Sequence, residues 1–212
     1  MSSRPTGRSV KISEDERGGW SSDRPRRDGP ARPADLTVHC RVLRPADRLR
    51  YSPGSLLIVS SASSAELDAF LDRLVEDRGA VFSLRKVKAL LKGRVAEEEL
   101  EDRASELLAS ALQKRLEARQ TVVLASEGFT PEEREPFLRA AAAQRRPRHL
   151  ILIETARENV AEEDLAPLNE LRRALDAGEL GNEGIQTALR LGGGSAAEVK
   201  RILFRPPPRE DD

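Results

Sequence analysis

Residues 56–59 read Leu-Leu-Ile-Val, four apolar side chains with no polar position between them, preceded by Pro53-Gly54 and followed by a serine cluster. A run this short, without alternation, predicts a strand buried on both faces, as at the centre of a parallel sheet. Comparable runs at 80–83, 121–125, 149–154 and 185–191 predict four more strands, and 200–204 a possible short last one. Residues 36–43 alternate loosely and are rich in β-branched side chains, which predicts an edge strand. On such a strand His39 and Cys40 face opposite ways, as packing residues and not as shared ligands.

Helical spacing fills the intervals. It begins at Ala65 and continues to about Arg78, then recurs over 84–91 with a break at Lys92-Gly93. Over 96–119, Leu100, Leu107, Leu108, Ala111, Leu112 and Leu116 form a predicted apolar stripe. The helix at 130–144 is signposted by a capping Thr130, Pro131 in the first helical position and Glu133 at capping-box distance. A further helix is expected over 165–175 and a single turn over 195–199. Strands alternating with helices indicate an α/β three-layer sandwich around a mainly parallel five-stranded sheet. In such folds ligands bind beyond the carboxyl ends of the strands where the strand order reverses, here the loop after Ser60.

Composition changes this picture at the ends. Residues 1–34 are rich in Ser, Arg, Pro, Gly and Asp with few aliphatics, and are expected to form a disordered basic tail. Residues 35–54 form the edge strand and its connection, 55–204 the α/β domain, and 205–212 a Pro-rich, acidic tail. The chain balances 36 basic against 36 acidic residues, yet residues 1–50 hold 12 Lys/Arg and 7 Asp/Glu, leaving 24 against 29 for the rest. A basic tail on an acidic body suits contact with an acidic partner. Trp20 is a docking anchor or an incidental tail residue. One cysteine and two histidines cannot build a Cys/His zinc site, so no metal is expected. The lone cysteine suits a reducing compartment, and no apolar run approaches the roughly 20 residues that span a bilayer. A cytoplasmic protein with no membrane contact is therefore expected.

Three stretches carry a resemblance to a family. The first is 55–67, SLLIVSSASSAEL, a strand, a small-residue loop and a helix start. The second is 121–154, strand, polar loop, a Thr-Pro-Glu-Glu-Arg helix and a strand. The third is 180–191, LGNEGIQTALRL, a closing strand after a Glu-Gly pair. Together they resemble the P-loop kinases of the polynucleotide-kinase-like type, over about 150 residues. The resemblance implies a phosphate-binding loop at Ser60, Ser61, Ala62, Ser63, Ser64, Ala65, Glu66 and Leu67. In such a loop a Gly-Lys-Ser/Thr ending supplies a lysine for the β/γ-phosphates and a hydroxyl for Mg²⁺. Here those places fall on Ala65, Glu66 and Leu67, so an anion stands where a cation belongs and leucine where the metal-binding hydroxyl belongs. The acceptor-activating Asp after the second strand has Ser83, Leu84 and Arg85 in its vicinity. The Asp that ends the third strand falls on Ala125 and its Asn partner on Gly128, beside Ser126 and Glu127. Lid arginines would be sought among Arg157, Arg172 and Arg173. Separately, 192–195, Gly-Gly-Gly-Ser, could form an anion nest of backbone amides.

Coordinated loss at several positions of one site predicts a catalytically inactive P-loop-kinase-like domain that serves as a binding or regulatory module, with a protein partner and no cofactor. A second reading is an active nucleotide or polynucleotide kinase using Mg-ATP, with Arg85, Lys86 and Lys88 supplying cationic character. A third is nucleic-acid binding without catalysis, through Arg24, Arg26, Arg27 and Arg32 of the tail.

Overall fold

The computed structural model describes residues 36–192 and 194–205; Trp20, the tail arginines, residues 206–212 and Gly193 of the glycine triplet lie outside the described residues. Strand β3 (Leu56–Ser61) is buried along its whole length, as its unbroken apolar run requires. It stands inside a six-stranded sheet with β1 (Arg41–Val42), β4 (Val81–Ser83), β5 (Val122–Ser126), β6 (Arg148–Ile153) and β7 (Thr187–Leu191), in the order β1-β7-β6-β3-β5-β4. Every pairing in it is parallel. The sheet therefore has six strands where five were expected, because β1 extends it beyond β7.

The expected strand over 36–43 shrinks to two paired residues. Upstream of them the chain runs against the turn before β7, where Val38 N–H donates to the Gly181 carbonyl at 3.0 Å. A Cβ on Gly181 would lie 2.1 Å from the Val38 carbonyl oxygen, so only glycine admits this approach. Cys40 is buried there, whereas His39 is exposed and does no packing. A strand absent from the sequence reading, β2 (Arg48–Tyr51), pairs in parallel with β8 (Arg201–Phe204) as a separate ribbon. Its alternating exposed and buried positions are too few to stand out in the sequence.

The two faces of the sheet differ. Against Leu56, Ile58, Leu124 and Leu152 pack α3 (Leu100–Glu117), α4 (Pro131–Ala143) and α5 (Glu162–Asp176), with α2 (Leu84–Leu91) at the β4 edge. Against Leu57, Val59, Val123 and Ile151 pack α1 (Ser64–Leu74) and the β2–β8 ribbon. A short helix, α6 (Gly194–Glu198), precedes β8. The stripe of α3 runs through Ala104, Leu108, Leu112 and Leu116, and Leu107, expected to belong to it, is 48% exposed, a little over a quarter-turn from Leu108. The connection after β3 leaves on the ribbon face, while those after β5 and β6 leave on the helical face. The carboxyl end of β3 is accordingly the point where the winding reverses.

Candidate functional site

At that reversal point the small-residue loop is closed by its own hydrogen bonds. Ser60 and Ser61 end β3, Ser63 caps α1 by accepting from the Glu66 N–H, and Ser64 to Leu67 form the first helical turn. Alternation along β3 turns Ser61 to the ribbon face, where its hydroxyl meets that of Thr155, just beyond β6, at 3.1 Å. Thr155 in turn donates to the Glu66 carboxylate at 2.9 Å. Ser61 Oγ also accepts from the Ser63 N–H at 3.3 Å. Ser60 faces the other way and is fully buried, its hydroxyl without a hydrogen-bond partner among the described residues. Leu67 is a core residue packed under the sheet, so the position expected to hold a metal-binding hydroxyl is committed to folding.

The cations near this edge are also committed. Arg85 pairs with Asp68 and, at 3.0 Å, with Glu127; Lys86 pairs with Asp68 at 3.2 Å, and Lys88 with Glu101. Burial raises the Asp68 carboxyl, but hydrogen bonds from Arg85 and Lys86 outweigh it and hold its pKa below the usual range. Arg172 makes a fork with Glu154, which also accepts from Arg190 at 2.5 Å. Glu154 likewise titrates low: burial opposes its charge, and the two arginines more than offset that. Arg173 lies exposed on α5, with Glu170 and Glu179 for partners, and contributes nothing to the strand ends. Arg172 and Arg173, two of the places where lid arginines were sought, are thus salt-bridged, as the charge density of this helix favours. Ser83 caps α2, accepting from Lys86 N–H at 3.4 Å. Ser126 closes a small turn with Gly128. The amide of Gly192 donates to the Ser195 hydroxyl, which occupies one amide of the predicted anion nest.

Two clefts open at the carboxyl edge. One, of about 710 Å³, lies on the ribbon face between Glu66, Phe70, Arg73 and Thr155. The other, of about 820 Å³, lies on the helical face, where Ser83, Arg85, Ser126 and Glu127 meet the first turns of α3, α4 and α5. Sequence reasoning named those four residues but missed the rest of the wall: Glu101, Glu132, Glu133 and Asp164, with Phe129 and Phe137 behind them. The available signal was the acidic first turn shared by all three helices. The capping box of α4 forms as expected, Glu133 accepting from Thr130 N–H at 2.9 Å. A Cβ on Gly128 would sit 2.4 Å from that carboxyl group, so a side chain there would require Glu133 to shift. Burial, then repulsion from Glu163 and Glu133, raises the Asp164 pKa. Among the described residues no group of three His, Cys, Asp or Glu is placed to hold a metal ion. No helix among the described residues is long and apolar enough to cross a membrane.

No family model matches the chain, and no curated protein matches it. Among solved structures, the tunicamycin resistance protein of Deinococcus radiodurans is similar at 16% identity and a TM-score of 0.36, over 72% of this chain and 99% of that one. That is a distant likeness, and no chemistry transfers through it.

Proposed function

We propose that this chain is a P-loop-kinase-like domain that does not transfer phosphate and instead works as a binding or regulatory module for a protein partner. One observation carries the reading: at the end of the central strand, the place for a phosphate-binding lysine holds Glu66, tied through Thr155 to Ser61. A carboxylate facing a nucleotide's phosphates repels them, and at 4 Å the repulsion between two unit charges is about 4 kcal/mol for a near-surface dielectric. The nearby cations do not reverse this, since Arg85, Lys86 and Lys88 already face carboxylates.

The test is thermal denaturation with and without Mg²⁺ plus ATP, ADP or GTP, on the natural chain and on Glu66→Lys. Leu67 is left in place because removing its side chain would open the core. The natural chain is expected to keep its melting temperature in nucleotide, and Glu66→Lys to gain a nucleotide-dependent rise. A rise in the natural chain, or ATP hydrolysis abolished by Glu66→Ala, would overturn the reading in favour of an active kinase.

A further inference from the structure

The larger cleft offers acceptors and almost no free donors. Five carboxylates line it, from Glu101, Glu127, Glu132, Glu133 and Asp164, against two cations, Arg85 and Lys88. Those cations are spent on Asp68, Glu127 and Glu101. Glu132 and Asp164 have no cationic partner among the described residues. The acidic first turns have a folding reason, since each helix N-terminus carries roughly half a positive charge. Three such ends offset only about half of the surplus of three carboxylates, so the cleft stays negative.

Two prolines add to this. Pro136 of α4 and Pro167 of α5 both stand inside their helices and both line the cleft. A helical proline has no N–H for the carbonyl four residues earlier, so the Glu132 and Glu163 carbonyls lose their helical partner. Glu132 and Pro136 share one face of α4, which puts a released acceptor beside the unpaired carboxylate. The floor is apolar: half-buried Phe137 faces the cleft, backed by the core residues Leu108, Leu124 and Phe129. The volume, about 820 Å³, is several times that of one arginine or leucine side chain.

We infer that this cleft docks a basic peptide segment bearing an apolar anchor, the guanidinium or ammonium groups meeting Glu132, Asp164 and the released Glu132 carbonyl, and the anchor resting on Phe137. Charge complementarity selects the occupant. An acidic or phosphorylated segment is repelled, and a purely polar basic one leaves Phe137 wet. This inference rests on the binding-module reading and names its partner's chemistry.

The probe is a fluorescein-labelled octapeptide of alternating arginine and leucine, titrated with the full chain and followed by anisotropy. The expected result is saturable binding that weakens with salt, as screened ion pairs do. The glutamate–leucine peptide should not bind, and the arginine–serine peptide should bind more weakly. Glu132→Gln combined with Asp164→Asn should weaken binding about tenfold, the loss of two exposed ion pairs. Ser105→Arg, which places a resident guanidinium in the cleft, should weaken it comparably. Glu97→Gln combined with Glu98→Gln, an equal charge change outside the cleft, should leave it unaltered. Amide chemical shifts should move at Glu127, Phe129 and Asp164. No binding, equal loss with the Glu97/Glu98 variant, equal binding of the arginine–serine peptide, or shifts elsewhere would each overturn the inference. Nucleotide stabilisation measured on the same samples separates the two ideas. A nucleotide-dependent rise in the natural chain removes the binding-module reading, whereas absence of both nucleotide and peptide effects removes the cleft alone.

Discussion

Two corners of one sheet edge use the same residue types to opposite ends. Beside α1, Ser61, Thr155, Ser63 and Glu66 satisfy one another in a chain of hydrogen bonds, so the polar groups of that corner's cleft already have partners. Across the sheet, Glu132 and Asp164 face an open cleft with no cation assigned to them. The difference follows from what each corner's neighbours supply. Thr155 arrives at the first corner as a donor on the end of β6. The second is walled by three helix starts, each of which favours an acid in its first turn and none of which brings a base. A carboxylate alone therefore says little about a site; whether its partner is already in the chain decides.

The second corner depends on a buried ion pair, and breaking that pair should have the largest effect. Arg134, 2% exposed, makes a fork with Glu183 at 2.8 and 2.9 Å and donates to the Phe129 carbonyl at 2.6 Å. It fixes α4 to both the cleft floor and the turn before β7. Arg134→Ala should cost about 3–5 kcal/mol in urea denaturation, because it strands a part-buried carboxylate. A loss near 1 kcal/mol would mean that the wall stands without it.

Next in size is a buried imidazole with one ring nitrogen unpaired. His149 sits against Tyr51, ring centres 4.7 Å apart, its Nδ1 on the Thr187 hydroxyl and its Nε2 without a hydrogen bond. Burial pulls its pKa from 6.5 down to about 4. Between those values the unfolded chain binds a proton that the folded chain excludes, so the His149 contribution is intact above about pH 6.5 and is lost as pH falls toward 4. The expected loss from pH 7.5 to pH 5 is about 2 kcal/mol. His149→Phe should flatten that part of the profile, as measured by urea midpoints at the two pH values.

The hydrogen-bond chain of the first corner is worth less. Thr155→Val removes the bridge between Ser61 and Glu66 and should cost about 1–2 kcal/mol, chiefly by leaving the buried Ser61 hydroxyl short of a partner. The corresponding change in the second corner, Asp164→Asn, should alter stability by no more than about 0.5 kcal/mol. Relief from Glu163 and Glu133 there offsets a weaker interaction with the helix N-terminus. Equal costs for the two variants would erase the distinction between a corner whose polar groups are paired and one whose carboxylates are not.

The chain's own pattern determined the alternation of buried strands and amphipathic helices, the central place of 56–59, the capping box at Thr130 and the absence of a lysine after Ser60. Each of these is written locally, in apolar runs, in helix-start chemistry or in a single side chain. Tertiary structure alone decided that Arg41–Val42 joins the sheet beyond β7, that Arg48–Tyr51 pairs with Arg201–Phe204, and that Leu107 faces water. It also decided which charges are spent. Arg85 meets Asp68, Arg172 meets Glu154, and Thr155 meets Glu66 over separations of 17, 18 and 89 residues. Pairings at such distances depend on strand order and helix placement, and no local period in the sequence records them.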